Sequence, residues 1–211
     1  QREVIGPYQS EFSNISADGF FMLAEAVEGW HSYPSFVDGS SDEKPAVSMD
    51  YEDAINIMYT SGTTGVPKGI LHTHHNRTQF ASMFAIDYRI DSSAVNIVTT
   101  ALYANGTWLT MLPTVFAGGT LVLMTAFDPK EFLELVQKEK CTHTFMVPTQ
   151  FTVLLEQPDF DSYDLSSMRI WNSAGSPLRT RTKAEVIKRF SGELVELWGL
   201  TEGVATTLKP E

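Results

Sequence analysis

From residue 54 onward the chain repeats one pattern: a short apolar or β-branched run, a loop, then a stretch of helical periodicity. The runs fall at 55–59, 95–99, 120–124, 143–147, 168–173 and 194–198. Their length and lack of alternation suit strands covered on both faces. Between them, Asp128-Pro129-Lys130-Glu131 places an N-cap, a proline at the first helical position and a glutamate three residues past the cap. Further helices are predicted over 148–156 and 178–190, the second ended by Ser191-Gly192. Strands separated by helices need right-handed crossovers, so the fold class is α/β, a largely parallel sheet with helices on both faces. In such sheets ligands bind beyond the carboxyl ends of the strands, which makes the loops after the strands the places to search.

Charge divides the chain. Residues 1–53 hold two basic and 11 acidic residues, and residues 54–211 hold 13 and 15. The expected organisation is an acidic segment over 1–53 and a nucleotide-binding α/β subdomain over 54–211. Within the first part, residues 19–30 read as a short amphipathic helix and residues 31–53 as an exposed connection rich in Ser, Gly, Asp and Pro. The formal charge of −11 argues against nucleic acid as a partner. A single cysteine, Cys141, excludes a disulfide framework within the chain and any Cys-based zinc cluster, and favours a reducing, cytoplasmic setting. No secretory signal opens the chain. Residues 92–127 carry no charge, but Pro113, Gly118 and Gly119 make residues 108–127 read as a buried helix, a turn and a strand, not a membrane span.

Three loops could carry chemistry. The first follows the run 55–59 and packs Tyr59, Thr60, Ser61, Gly62, Thr63, Thr64, Gly65, Val66, Pro67, Lys68 and Gly69 in succession. Glycines let backbone N–H groups turn toward an anion, hydroxyls add short donors, and Lys68 adds charge, which together make a phosphate cradle. Its spacing is not that of a Walker A loop, and no G-x-G-x-x-G is present. The second, Ser173-Ala174-Gly175-Ser176-Pro177-Leu178, has small residues that leave room for a flat ring; alone it reads equally as a tight turn. The third, Trp198-Gly199-Leu200-Thr201-Glu202-Gly203, offers an aromatic face, a hydroxyl and a carboxylate able to hold Mg²⁺ while phosphates supply the remaining oxygens. His72, His74 and His75 have a metal-like spacing, but only Cys141 and His143 remain downstream as further nitrogen or sulfur ligands.

Taken together, Thr60 to Gly69, Ser173 to Leu178 and Trp198 to Glu202 resemble, in order, the phosphate loop, the adenine-side loop and the Y/W-G-x-T-E motif of the adenylate-forming superfamily. That superfamily comprises acyl-CoA synthetases, luciferases and peptide-synthetase adenylation domains, and the acyl-CoA synthetase type is the nearest in character. The similarity runs from about Asp53 to Gly203 and implies part of the large N-terminal domain. It implies that a carboxylic acid attacks the α-phosphorus of MgATP, giving an acyl-adenylate and pyrophosphate, and that the thiol of coenzyme A then takes the acyl group. By the same resemblance, Thr60, Ser61, Gly62, Thr63, Thr64, Gly65 and Lys68 hold the β- and γ-phosphates, and Gly175, Ser176 and Pro177 line the adenine. Trp198 and Gly199 flank the ring, Thr201 touches the α-phosphate, Glu202 positions Mg²⁺, and His74 lies near the reacting carboxylate. His72 and His75 read as a strand-end and a helix-start residue without a role.

The chain departs from that pattern in one place. Many relatives carry a histidine in a P-L-F-H stretch; the matching region here is Ala101-Leu102-Tyr103-Ala104-Asn105-Gly106, with Tyr103 the nearest substitute. It holds no aspartate, so an amino-acid substrate, whose ammonium would go unpaired, is disfavoured. The apolar character of residues 101–112 suits an acyl or aryl acid. The resemblance further implies a ribose-binding aspartate and a C-terminal domain with a catalytic lysine, neither matched within these 211 residues; the chain alone is expected to be inactive. The alternatives are an adenylation domain that loads a carrier protein and a non-catalytic nucleotide-binding module.

Overall fold

A computed structural model describes residues 2–60, 65–203 and 205–209, which fall into two units, Gln1–Ser48 and Met49–Glu211. The first unit holds α1 (Arg2–Ile5), two 3-10 turns, β1 (Phe21–Met22), β2 (His31–Ser32) and α2 (Tyr33–Val37). The helix expected over 19–30 is not formed. Phe20 and Trp30 are both buried with ring centroids 5.3 Å apart; ten residues of helix would separate them by about 15 Å. A turn through Gly29, at φ 76°, closes Val27 onto Trp30 and makes that aromatic pairing possible. The connection expected from residue 31 also begins differently, because the Ser32 hydroxyl accepts from the Ser35 N–H and caps α2.

The second unit is built on a six-stranded sheet. Its elements are β3 (Ala54–Thr60), β4 (Lys68–Thr73), α3 (His74–Asp87), β5 (Val95–Val98), α4 (Trp108–Phe116), β6 (Thr120–Leu123), α5 (Pro129–Glu139), β7 (His143–Met146), α6 (Pro148–Leu155), β8 (Ile170–Ser173), α7 (Thr180–Arg189), β9 (Glu193–Gly199) and β10 (Ala205–Leu208). The spatial order is β10-β9-β8-β7-β5-β6, parallel from β6 to β9 with β10 antiparallel at one edge. Consecutive residues on β7 and β8 point to opposite faces. Met146 and Trp171 join Phe132, Val136, Phe151 and Phe190 beneath α5, α6 and α7. Phe145 and Ile170 join Phe84, Tyr88 and Leu109 beneath α3 and α4. Burial on both faces is why these strands show no in–out alternation, their buried polar residues His143, Thr144, Asn172 and Ser173 included. The Asp128 carboxylate accepts from the Glu131 N–H at 2.8 Å, the cap expected for α5. The charge-free stretch folds as α4, a turn with Gly118 at φ 76°, and β6. Among the described residues no helix is long and apolar enough to cross a membrane.

One strand assignment changes. The run 55–59 does not enter the parallel sheet; β3 pairs antiparallel with β4 as a separate hairpin, with Thr60 opposite Lys68. Only seven residues separate those two, too few for a parallel crossover. The return strand carries Lys68, Gly69, His72 and Thr73, so it has no apolar run to reveal it.

Candidate functional site at the carboxyl edge of the sheet

Parallel pairing puts the ends of β5, β7, β8 and β9 on one edge, and the hairpin β3–β4 meets that edge through His72. Its Nε2 lies 2.9 Å from the carbonyl oxygen of Thr201, in the turn after β9. This bond joins residues 129 apart in sequence. The strand bearing Lys68 and the turn bearing Thr201 and Glu202 are thus neighbours.

The individual positions follow from their elements. Thr60 is half-buried at the last position of β3, and Lys68 is exposed at the first of β4. Ser61, Gly62, Thr63 and Thr64 lie outside the described residues. Gly65 has φ 81° with open space where a side chain would stand, a conformation that glycine adopts without strain. Among the described residues neither Lys68 nor Glu202 forms an ion pair. Trp198 is 62% exposed on β9. Gly199 ends that strand, Thr201 is half-buried, and Glu202 is exposed beside Gly203.

The second loop leaves β8 through buried Ser173 and Ala174, then exposes Gly175, Ser176 and Pro177 before Leu178 turns back into the core. Gly175 takes φ 92°. Glu196, two residues before Trp198, holds this loop: one carboxylate oxygen accepts from the Leu178 N–H at 3.1 Å and the other pairs with Lys183. A carboxylate on β9 thereby links the second loop to the strand that leads into the third.

His74 opens α3, half-buried, after Thr73, whose hydroxyl accepts from the Asn76 N–H. Its own N–H donates to the Asp53 carbonyl at 3.0 Å. His75 is exposed against Glu52 at 3.2 Å. His72, by contrast, is buried, and its Nδ1 lies 3.2 Å from Nη2 of Arg77. Arg77 is 4% exposed and also donates to Oδ1 of Asn56 and of Asn105, each at 3.1 Å. Burial pulls its guanidinium down to about 10. Asn105 belongs to the segment expected to line the acid; there the Thr107 hydroxyl donates to the Ala101 carbonyl and the Trp108 indole N–H to that of Leu102, both at 2.7 Å. Tyr103 is exposed at the tip of this segment.

Arg77, Asn56 and Glu196 carried no sequence motif, and His72 and Asn105 stood in patterns that did not point to these contacts. Asn56, alone among the apolar residues 54–58, was the one available hint that a polar partner faces this strand. Among the described residues no group of three His, Cys, Asp or Glu side chains could hold a metal ion. A Mg²⁺ at Glu202 would therefore draw most of its oxygens from phosphate and water, as this ion commonly does, and a single carboxylate fits that requirement. A cavity of about 300 Å³ beneath α7 is lined by Gly192, Glu193 and Leu194 at the amino end of β9 and reaches Lys183 and Glu196, the pair that holds the second loop.

A parallel sheet covered on both faces, with loops gathered along its carboxyl edge, is the layout in which open α/β sheets bind ligands. The family profile described as AMP-binding enzyme matches residues 11–211, and the chain belongs to that family. It is 33% identical over 173 residues to the feruloyl-CoA synthase of an Amycolatopsis species, covering 82% of this chain and 35% of that protein. It is 30% identical over 201 residues to the medium/long-chain-fatty-acid–CoA ligase FadD8 of Mycobacterium tuberculosis, covering 94% of this chain and 32% of that one. The inhibitor-bound N-terminal domain of FACL13 from Mycobacterium tuberculosis superposes with a TM-score of 0.77 at 27% identity, over 85% of this chain and 46% of that one. The chain thus spans about a third of the length of these curated relatives.

Proposed function

We propose that the whole protein carrying this chain is an ATP-dependent acid–thiol ligase of the acyl-CoA synthetase type. A carboxylate oxygen of the acid bonds to the α-phosphorus of ATP, the bond to the bridging oxygen breaks, and pyrophosphate leaves. The thiol of CoA then displaces AMP to give the thioester. The observation that carries this reading is the 2.9 Å contact between His72 and Thr201, which sets the Lys68 hairpin beside the Glu202 turn. The names of the relatives, CoA synthases and ligases, support it.

An ionised acid and a polyphosphate repel, so fixed positive charge and donors must offset the charge that builds up at the phosphates. Lys68 and Thr60 take that role, together with Ser61, Gly62, Thr63, Thr64 and Gly65. Gly175, Ser176, Pro177, Trp198 and Gly199 receive the adenine, and exposed Trp198 offers a face for stacking. Thr201 and His74 orient the α-phosphate and the acid, and Glu202 would hold Mg²⁺, which when bound would supply further charge neutralisation. The apolar stretch 101–112 supports an acyl or aryl acid, and the single buried Cys141 supports a reducing, cytoplasmic setting.

Pyrophosphate exchange on the full-length protein tests this. Lys68→Ala and Glu202→Ala are each expected to lower it by roughly 100-fold, the scale for losing one aimed charge or donor. Unchanged exchange in both removes these residues from the mechanism. Thioester formation on a carrier protein but not on CoA would sink the CoA-ligase reading.

A further inference from the structure

Arg77 is a buried cation with no carboxylate partner among the described residues. Its contacts are neutral: the oxygens of Asn56 and Asn105, the sulfur of Met58, the His72 ring, and the indole face of Trp108 with its centroid 4.5 Å from Cζ. Burying a charge without a counter-ion is costly, so the arrangement calls for an account beyond filling space.

A guanidinium only donates. His72 Nδ1, 3.2 Å from Nη2, must therefore accept, and the ring proton sits on Nε2, which donates to the Thr201 carbonyl. The Asn56 amide agrees with this orientation: its oxygen faces Arg77 and its nitrogen approaches the same Nδ1 at 3.4 Å. A cation on α3 thus fixes the tautomer of a histidine on β4, and that tautomer holds the turn after β9. Through Asn105 the same cation holds the segment after β5.

We propose that Arg77 and His72 form a positioning relay that keeps the Thr201–Glu202 turn in register with the β3–β4 hairpin and the Asn105 segment. It places these three segments relative to one another before any ligand arrives. In its catalytic consequence the inference rests on the ligase reading; in its structural consequence it stands apart from it. In this relay His72 acts through the backbone of Thr201, and Arg77 through His72 and the side chain of Asn105.

The test compares His72→Phe, which keeps a ring and removes both bonds, with His72→Gln, which keeps an amide donor toward Thr201, and with Arg77→Met. All three are made in the full-length protein. Two quantities are read: hydrogen exchange of the backbone amides at 200–203, and pyrophosphate exchange separated into kcat and KM for ATP. His72→Phe and Arg77→Met are expected to speed amide exchange in the turn by about tenfold, the scale of one lost hydrogen bond. They should lower kcat by a similar factor while KM for ATP changes by less than about threefold, because preorganisation and not ground-state binding is lost. His72→Gln should restore most of both.

Wild-type values for the turn and for kcat in a folded His72→Phe protein would overturn the relay. So would His72→Gln behaving no better than His72→Phe, which would reduce the role to packing. Should His72→Phe fail to fold, Arg77→Met is judged by the same criteria. A wild-type protein without pyrophosphate exchange removes the ligase reading and leaves the amide measurement to decide the relay.

Discussion

His143 lies at the start of β7, fully buried, with Nδ1 2.7 Å from the Thr142 hydroxyl and Nε2 3.0 Å from the Tyr88 carbonyl. Desolvation, opposed in part by the bond to Tyr88, lowers its pKa from 6.5 to about 4; among the surrounding charges Arg169 and Arg89 favour the neutral ring and Asp91 opposes them. The perturbation is acidification. Because the folded value is the lower one, the unfolded chain binds a proton first, so stability is complete above pH 6.5 and falls as pH drops toward 4. With those two values the loss approaches about 3 kcal/mol at pH 4, and about 2 kcal/mol of it comes between pH 7 and pH 5. Urea unfolding followed by tryptophan fluorescence at pH 7 and pH 5 measures this, with His143→Gln as the non-titrating comparison. Whatever the variant costs at pH 7, its decline to pH 5 should be shallower than that of the wild type by about 2 kcal/mol. Equal declines in the two proteins would refute the assignment of a neutral, desolvated imidazole.

Two further outcomes follow from the core and from the second loop. Burial pushes the Cys141 thiol up to about 12, so it should resist a thiolate-directed alkylating reagent at pH 8 in native protein and react promptly in urea; rapid native labelling would contradict its burial. Glu196→Ala removes both the acceptor for the Leu178 N–H and the partner of Lys183, and is expected to weaken AMP binding several-fold by calorimetric titration while lowering the melting temperature, since a part-buried donor loses its acceptor; wild-type affinity would detach Glu196 from the site.

What the sequence made readable, and what it hid, follows from how far apart the determinants lie. Strands buried on both faces announce themselves by composition, which is why β5, β7 and β8 stood out, and the Asp128 cap is local to α5. The three loops were readable because each packs its donors within a dozen residues. The hairpin was misplaced because a strand exposed on one side can still look like a core strand over five residues, while its partner β4 is half polar. The helix expected over 19–30 failed because two aromatics ten residues apart attract each other more than the intervening residues favour a helical face. The contact between His72 and Thr201 spans 129 residues, and a buried arginine served by amides has no spacing rule to betray it.

The hairpin β3–β4 shares no ladder hydrogen bonds with the six-stranded sheet among the described residues. Its attachment to the carboxyl edge of that sheet is made by a few named side chains, and none of these is a rung of the central β-structure. Substitutions can therefore accumulate in this appendage while the scaffold's own assembly stays untouched. In an engineered exchange of hairpins between relatives, the residues to carry across together would be Asn56, His72 and Arg77.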